Sequence, residues 1–298
     1  MAIVKLSVVI AAWNGPSALR QCLLSLANQM NHAATEVIAA TNFKSDDLQD
    51  LVQSLSFVKL ISLSPDTTVP ELRTVGIQNS SGDVVALLED HCTCHNEWVS
   101  QIKWAHELPH SVIGGVVENA NSAIALSWAV YFYDYGKYML PQAARIVPTL
   151  SGNNVSYKRH ALEQVRERYR NGFYETFVHQ ALQQFGHNLY LVPSAIVYHN
   201  KDYELRNAVT DSYHHGRVFA AKRAFRARFL ERALRCAAAP VLPCLLLSRI
   251  VVRTFRKKRH LKELANSLPY LFMLVTAWSC GEFCGYMWKE GSSARKWR

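Results

Sequence analysis

An α/β fold, with a mostly parallel sheet flanked by helices, is what this sequence predicts, and three observations carry it. Residues 6–12 form an unbroken apolar run rich in β-branched side chains, the pattern of a strand covered on both faces. Strand-like runs then alternate with helical periodicity through the first part of the chain, as in parallel strands joined by crossover helices. Turn signals separate them, Asn14-Gly15-Pro16 and Ser80-Ser81-Gly82-Asp83 among them.

Taken in order, Pro16 suits the first turn of a helix, and Leu19, Cys22, Leu23 and Leu26 share one of its faces. Residues 36–40 read as the second strand, 46–55 as a helix and 58–63 as the third strand. A helix over 70–79 precedes the fourth strand, 84–88, which runs into Glu89-Asp90-His91. In open sheets of this kind ligands bind beyond the carboxyl ends of the strands. Trp13-Asn14, Thr41-Asn42 and Glu89-Asp90-His91 all fall there. The lysine and apolar run at the N-terminus read as this first strand entering a turn rather than as a leader.

Composition narrows the classes. With 298 residues, 49% of them hydrophobic and 19% charged, the chain can bury a core, which excludes disorder, collagen and a small disulfide scaffold. A net charge of +10 points to an anionic partner. Seven scattered cysteines without CxxC spacing suit a reducing compartment and argue against structural zinc. Cations crowd the chain from Arg217 to Lys262, interleaved with two apolar stretches, 233–252 and 268–288. Such apolar stretches have no use in a phosphate groove, so nucleic acid is excluded, and anionic membrane lipids are the expected partner. The organisation expected is therefore an α/β domain over 1–210 and a basic, membrane-associating helical region over 211–298. Prolines and arginines make 233–252 a poor span, so it is expected to lie in or dip into the interface as an amphipathic or broken helix. Glu282 and two glycines at the centre of 268–288 suggest a bent or re-entrant hairpin around 279–285, somewhat ahead of a single crossing.

The motifs carry a resemblance. Ser7-Val-Val-Ile-Ala-Ala-Trp-Asn14, Glu71-Leu-Arg-Thr-Val-Gly-Ile77 and Ser81-Gly-Asp-Val-Val-Ala-Leu-Leu-Glu-Asp-His91 resemble the opening strand, arginine-containing helix and acidic metal motif of the family-2 inverting glycosyltransferases with the GT-A (Rossmann-like) fold. Ser151-Gly-Asn-Asn154, Gly172-Phe-Tyr-Glu175, residues 182–186 and residues 193–199 follow the same family's order of acceptor-side motifs. The likeness spans residues 3 to about 200.

The resemblance implies a nucleotide-sugar donor, a UDP-sugar first, and a divalent cation, Mn²⁺ or Mg²⁺, on its diphosphate. Glu89 and His91 lie two apart at a strand end and can project to one side, with Asp90 on the other; they are the candidate metal ligands, and His199 resembles the late histidine that completes the shell. Ala12, Trp13, Asn14, Asn42, Arg73, Glu89 and Asp90 are the candidate donor-binding residues. Asn42 stands where the family usually has an aspartate, and Arg73 is placed to reach the diphosphate or Glu89. Glu175 occupies the place of the catalytic base, although Tyr174 replaces the acidic residue that normally precedes it. Gly152, Asn153 and Asn154 are expected at the acceptor, and Arg217, Lys222 and Arg223 in a mobile segment that closes over the diphosphate. The expected function is transfer of a sugar to a lipid-linked or polysaccharide-precursor acceptor at the cytoplasmic face of the inner membrane, with a homo-oligomer left open. The departures at Asn42 and Tyr174 keep one alternative alive, a catalytically inactive scaffold of a polysaccharide-export complex.

Overall fold

The computed structural model describes residues 4–29, 34–120, 123–225 and 228–296. It divides into two compact units, Met1–Ala120 with Tyr138–Asn200, and Asn121–Lys137 with Lys201–Arg298. The second unit takes in a segment from the middle of the sequence as well as everything after residue 200.

The first unit opens with β1 (Leu6–Ala12), α1 (Pro16–Ala27), β2 (Thr35–Thr41), α2 (Asp46–Ser54), β3 (Val58–Ser62), α3 (Val69–Gln78) and β4 (Val84–Glu89). These strands are parallel, in the spatial order β3-β2-β1-β4. Every residue of β1 and β4 is buried, as the unbroken apolar runs require. Pro16 stands at the start of α1. At the start of α3, Glu71 accepts from both the amide and the hydroxyl of Thr68 at 2.7 Å, which fixes where the helix begins. Gly76 lets α3 lie close on β1, since a Cβ there would stand 2.3 Å from Val9 Cγ1.

Beyond β4 the sheet becomes mixed. The chain continues through β5 (Cys92–Cys94), α4 (Trp98–Ala105), β6 (Val112–Asn119), α5 (Ala125–Val130), a π-helical turn (Tyr131–Tyr135), β7 (Arg145–Ile146), β8 (Asn154–Lys158), α6 (Arg159–Gln164), α7 (Arg166–Tyr169), α8 (Glu175–Gln184) and β9 (Leu189–His199). β8 runs antiparallel to β4 and to β6, β9 is parallel to β6, and β5 and β7 pair antiparallel with β9. Parallel pairing therefore holds through β1 to β4 and again between β6 and β9, and the strands between and beside them make the sheet mixed. The β6–β9 register slips between Gly114 and Val116, where a Cβ on Gly115 would meet the Ala195 carbonyl oxygen at 1.9 Å.

The second unit is helical: α5 and the π-helical turn, then α9 (Leu205–Ala224), α10 (Phe229–Ala238), α11 (Leu242–Lys257), α12 (Leu261–Trp288) and α13 (Ser293–Lys296). No single helix among the described residues is long and apolar enough to cross a membrane. Stretch 233–252 is broken, as expected: α10 and α11 meet at 69°, with Pro240 in the break and Pro243 in the first turn of α11. Stretch 268–288 is not a hairpin. It lies within one continuous helix, because its glycines serve packing rather than bending. A Cβ on Gly281 would meet the Tyr213 carbonyl oxygen at 2.0 Å, and one on Gly285 that of Arg217 at 2.3 Å, so both glycines bring α9 against α12. Glu282, expected to disfavour a straight path, is paired with Arg223.

One carboxylate ties the amino end of the sheet together. Glu36 lies opposite Ser7 in the β1–β2 register and accepts from Ser7 Oγ at 2.6 Å, Ser81 N at 2.7 Å and Ser81 Oγ at 2.8 Å. Partial burial raises its pKa, but these hydrogen bonds outweigh it and hold the carboxyl below its ordinary value. Its contribution to stability is thus full above the ordinary carboxylate range, fades as the pH falls through the depressed pKa, and is absent below it. Glu36→Gln is expected to lower the urea midpoint at neutral pH, with the gap to the parent chain closing in acid. A gap independent of pH would show that the charge is not what stabilises this corner.

Candidate active site

The carboxyl ends of β1 and β4 meet where Asp90 bonds the turn after β1. Its Oδ2 accepts from the amides of Trp13 at 2.9 Å and Asn14 at 2.7 Å, and its Oδ1 accepts from Asn14 Nδ2 at 2.7 Å. Asp90 is buried, and with these bonds it shapes the turn after β1. Trp13 and Asn14 take their positions from it, while Ala12 ends β1 with its side chain buried. Asn42 follows β2, and its Nδ2 donates to the Thr67 carbonyl oxygen at 3.1 Å, which spends amide donor capacity expected for a base edge.

Glu89 and His91 project together, as the spacing of two predicts. His91 Nδ1 lies 3.1 Å from Asn14 Nδ2. Its Nε2 is buried without a hydrogen-bond partner, 3.2 Å from Glu89 Oε2. The His199 ring meets the His91 ring edge-on, centroids 4.7 Å apart, because His199 pairs with Cys92 in the β5–β9 register. The three expected ligands therefore converge. They do not form a ready cage: among the described residues no group of three or more His, Cys, Asp and Glu side chains is arranged to hold an ion by itself. A buried, unpartnered imidazole nitrogen beside a carboxylate oxygen is nonetheless a mixed N/O pair of the kind that suits Mn²⁺ or a similar cation. Next to it, burial pushes the Cys92 thiol well up, so that side chain is a neutral packing group.

Arg73 is where the structure says most. Expected at the diphosphate or Glu89, it is 4% exposed and meets Glu89. One Nη bonds Glu89 and the other bonds Glu175 Oε2 at 2.9 Å. Burial would lower its pKa, but the carboxylates of Glu175 and Glu89 outweigh that and raise it, so the guanidinium stays charged. Of the two expected targets, Glu89 is the one it meets, and Glu175 is a second carboxylate that the sequence did not disclose. Glu175 is the first residue of α8, where the helix dipole favours a carboxylate. The loop before α8 is fastened to α3 by Phe173 N to Pro70 O at 2.8 Å and by Thr74 Oγ1 to Tyr169 O at 2.9 Å. With its side chain 23% exposed, Glu175 is the open end of the bridge.

Gly152 passes close by. A Cβ there would lie 3.0 Å from Arg73 Nη2 and 3.0 Å from Glu175 Cδ, so any side chain would crowd both. Asn153 and Asn154, expected at the acceptor, are both buried and hydrogen-bonded within the protein. Asn154 Nδ2 donates to the carbonyl oxygens of Val116 and Ala195 at 2.8 and 2.9 Å, and its Oδ1 accepts from Trp98 Nε1 at 2.9 Å. Asn153 is buried against Ser151 Oγ and Cys92 Sγ. Arg217, Lys222 and Arg223 lie on the continuous helix α9 rather than on a separate closing segment. Arg217 Nε donates to the Lys289 carbonyl oxygen at 2.9 Å and Arg223 pairs with Glu282.

Sequence reasoning missed Tyr157 and His179. The Tyr157 hydroxyl lies 2.7 Å from His179 Nε2, one turn along α8 from Glu175. Burial and the Glu175 charge raise the Tyr157 pKa well above normal, so it is a neutral phenol. The four-residue step from Glu175 to His179 is the only sequence signal that could have found the pair.

A helix-flanked α/β sheet carrying a strand-end acid–histidine pair and a buried arginine between two carboxylates defines a glycosyltransferase of the GT-A class. The chain belongs to glycosyl transferase family 2, whose family model matches residues 7–166. Solved structures share the fold. TarS 1–349 of S. aureus superimposes with a TM-score of 0.51 at 14% identity, over 97% of this chain and 90% of that one. A second TarS structure, in complex with UDP, gives 0.51 at 12% over 91% and 90%. GalNAc-T7 with UDP, GalNAc and Mn²⁺ gives 0.54 at 16% over 68% of this chain, which spans only 44% of the GalNAc-T7 chain. No curated protein matches the sequence significantly.

Removing one partner of a buried ionic bridge costs about 3–5 kcal/mol, because the charges left behind stay desolvated. Arg73→Met is expected to fall at the low end of that range by urea unfolding, since Glu175 reaches solvent. Wild-type stability in this variant would mean that the bridge does not form.

Proposed function

We propose that this chain transfers a sugar from a nucleoside diphosphate, a UDP-sugar first, to a hydroxyl acceptor by single in-line displacement with inversion. The observation that carries this reading is the Arg73 bridge, which holds a partly exposed carboxylate, Glu175, at a fixed place relative to the Glu89–His91 strand end. In this reading Glu175 takes the acceptor proton as the acceptor oxygen attacks the anomeric carbon, and the diphosphate leaves from the opposite face. Arg73 keeps that carboxylate aimed, while Asp90 holds the Trp13–Asn14 turn under the donor. Gly152 leaves the carboxylate open to the acceptor.

A divalent cation, Mn²⁺ or Mg²⁺, would be held by Glu89 and His91 with His199 beside them, and when bound it neutralises the charge of the departing diphosphate. The unpartnered Nε2 of His91 supports this fit, and structural neighbours with the same fold are solved with UDP and with Mn²⁺. For the acceptor we infer a lipid-linked or polysaccharide precursor at the cytoplasmic membrane surface; the basic, apolar tail supports this part of the reading.

Two measurements test the chemistry. Glu175→Gln keeps shape but removes basicity, so donor binding is expected to survive while turnover of a nucleotide sugar falls by about a hundredfold or more. Near-normal turnover would move the role to another carboxylate, and loss of donor binding would make Glu175 a structural residue. Activity is also expected to need added Mn²⁺ or Mg²⁺, with His91→Ala losing far more rate than stability. Full activity in excess chelator would overturn the metal assignment.

A further inference from the structure

Helix α10 is built inside out. In a water-soluble helix the apolar face turns inward and the charged face outward, yet no residue of α10 is buried, and its large apolar side chains are more exposed than Glu231 and Arg235. Phe229, Leu230 and Leu234 are 85%, 69% and 63% exposed. By helical geometry they fall on one face, with Arg232 and Arg235 on the other. That polar face is the one bonded to the protein. Arg232 Nη2 donates to the Tyr286 carbonyl oxygen at 2.6 Å and Arg235 Nη1 to the Tyr286 hydroxyl at 2.8 Å, both on α12. Glu231 bonds Arg235 at 2.6 Å and completes the clamp. The arginines thus point the greasy face away from the unit.

Helix α11 continues the pattern. Ile250 and Thr254 are buried, and the opposite side presents Leu245, Val252 and Phe255 to the outside. Arg249 and Arg256, both exposed, follow Leu245 and Val252 at four-residue steps and so border this stripe on one side. Across residues 228–262 stand ten lysines and arginines against the single acid Glu231.

We infer that the outward faces of α10 and α11 dock flat on an anionic lipid bilayer, with Phe229, Leu230, Leu234, Leu245, Val252 and Phe255 among the acyl chains and Arg249 and Arg256 on the lipid phosphates. The charge selects this occupant. A second copy of the chain, pairing face to face about a two-fold axis, would bring the same cations against one another, whereas acidic headgroups neutralise them. Neither helix is long and apolar enough to cross a membrane by itself, and although the two together are, the 69° bend between them and the arginines along both work against a straight crossing. This inference deepens the membrane-surface location proposed above, and it does not depend on the catalytic reading.

The test is flotation of the full chain with vesicles of phosphatidylcholine alone or mixed with phosphatidylglycerol. Binding is expected to the mixed vesicles, weaker to the neutral ones, and reduced by salt. Phe229→Ser with Leu234→Ser is expected to lower partitioning at least tenfold, and Arg249→Gln with Arg256→Gln to remove the preference for phosphatidylglycerol. Nucleotide-sugar binding in vesicle-free solution shows that each variant is folded and reads the catalytic domain separately. Unchanged flotation of the Phe229/Leu234 variant, or no flotation of the parent chain, would overturn the proposal. So would a parent chain that sediments as an oligomer and a variant that sediments as a monomer, because a second copy would then be the occupant.

Discussion

The Arg73 bridge is the constraint on which the catalytic unit depends. The guanidinium of Arg73, buried on α3, stays charged there because two carboxylates flank it, and the buried one, Glu89, is in turn neutralised by it. The three side chains come from α3, the end of β4 and the start of α8, elements separated by 16 and 102 residues along the chain. One charge therefore fixes where the metal-side carboxylate and the candidate base stand relative to each other. Asp90 does similar work at shorter range, bonding the turn after β1 so that it takes one shape. Neither group needs a ligand in place to be ordered, which is what preorganisation requires.

How much of this was legible in the sequence follows from how local each signal is. The strands β1 to β4 were readable because they are apolar runs bounded by turn residues, and a one-residue error would expose them. The second half of the sheet was not. β8 begins with Asn154, a buried amide that looks polar in sequence and works as a staple between β6 and β9. β6 carries Gly114-Gly115, which reads as a break and is a register slip. Glu175 could be located only through its distance from Gly186 in the family pattern, and nothing local disclosed its pairing with Arg73, because an ion pair across 102 residues leaves no periodicity.

The tail shows the same limit in another form. Gly281, Glu282 and Gly285 look like a helix breaker around a charge that has to avoid lipid. In the structure the glycines are the contact surface for α9, and the charge is met by Arg223. Composition alone cannot tell a glycine that bends a helix from one that lets a neighbour approach. The amphipathic pattern of α10 was visible in its residues, but which face turned outward depended on Tyr286, some fifty residues on.

The bridge is tested most directly by a double-mutant cycle in turnover on Arg73→Met and Glu175→Gln, measured where circular dichroism shows every variant folded. If Arg73 acts on the reaction through Glu175, removing it after Glu175 has lost its basicity costs little more, and the double variant is expected to turn over close to the rate of Glu175→Gln alone. Losses that multiply across the two positions would contradict this, because the arginine and the glutamate would then be serving the reaction independently.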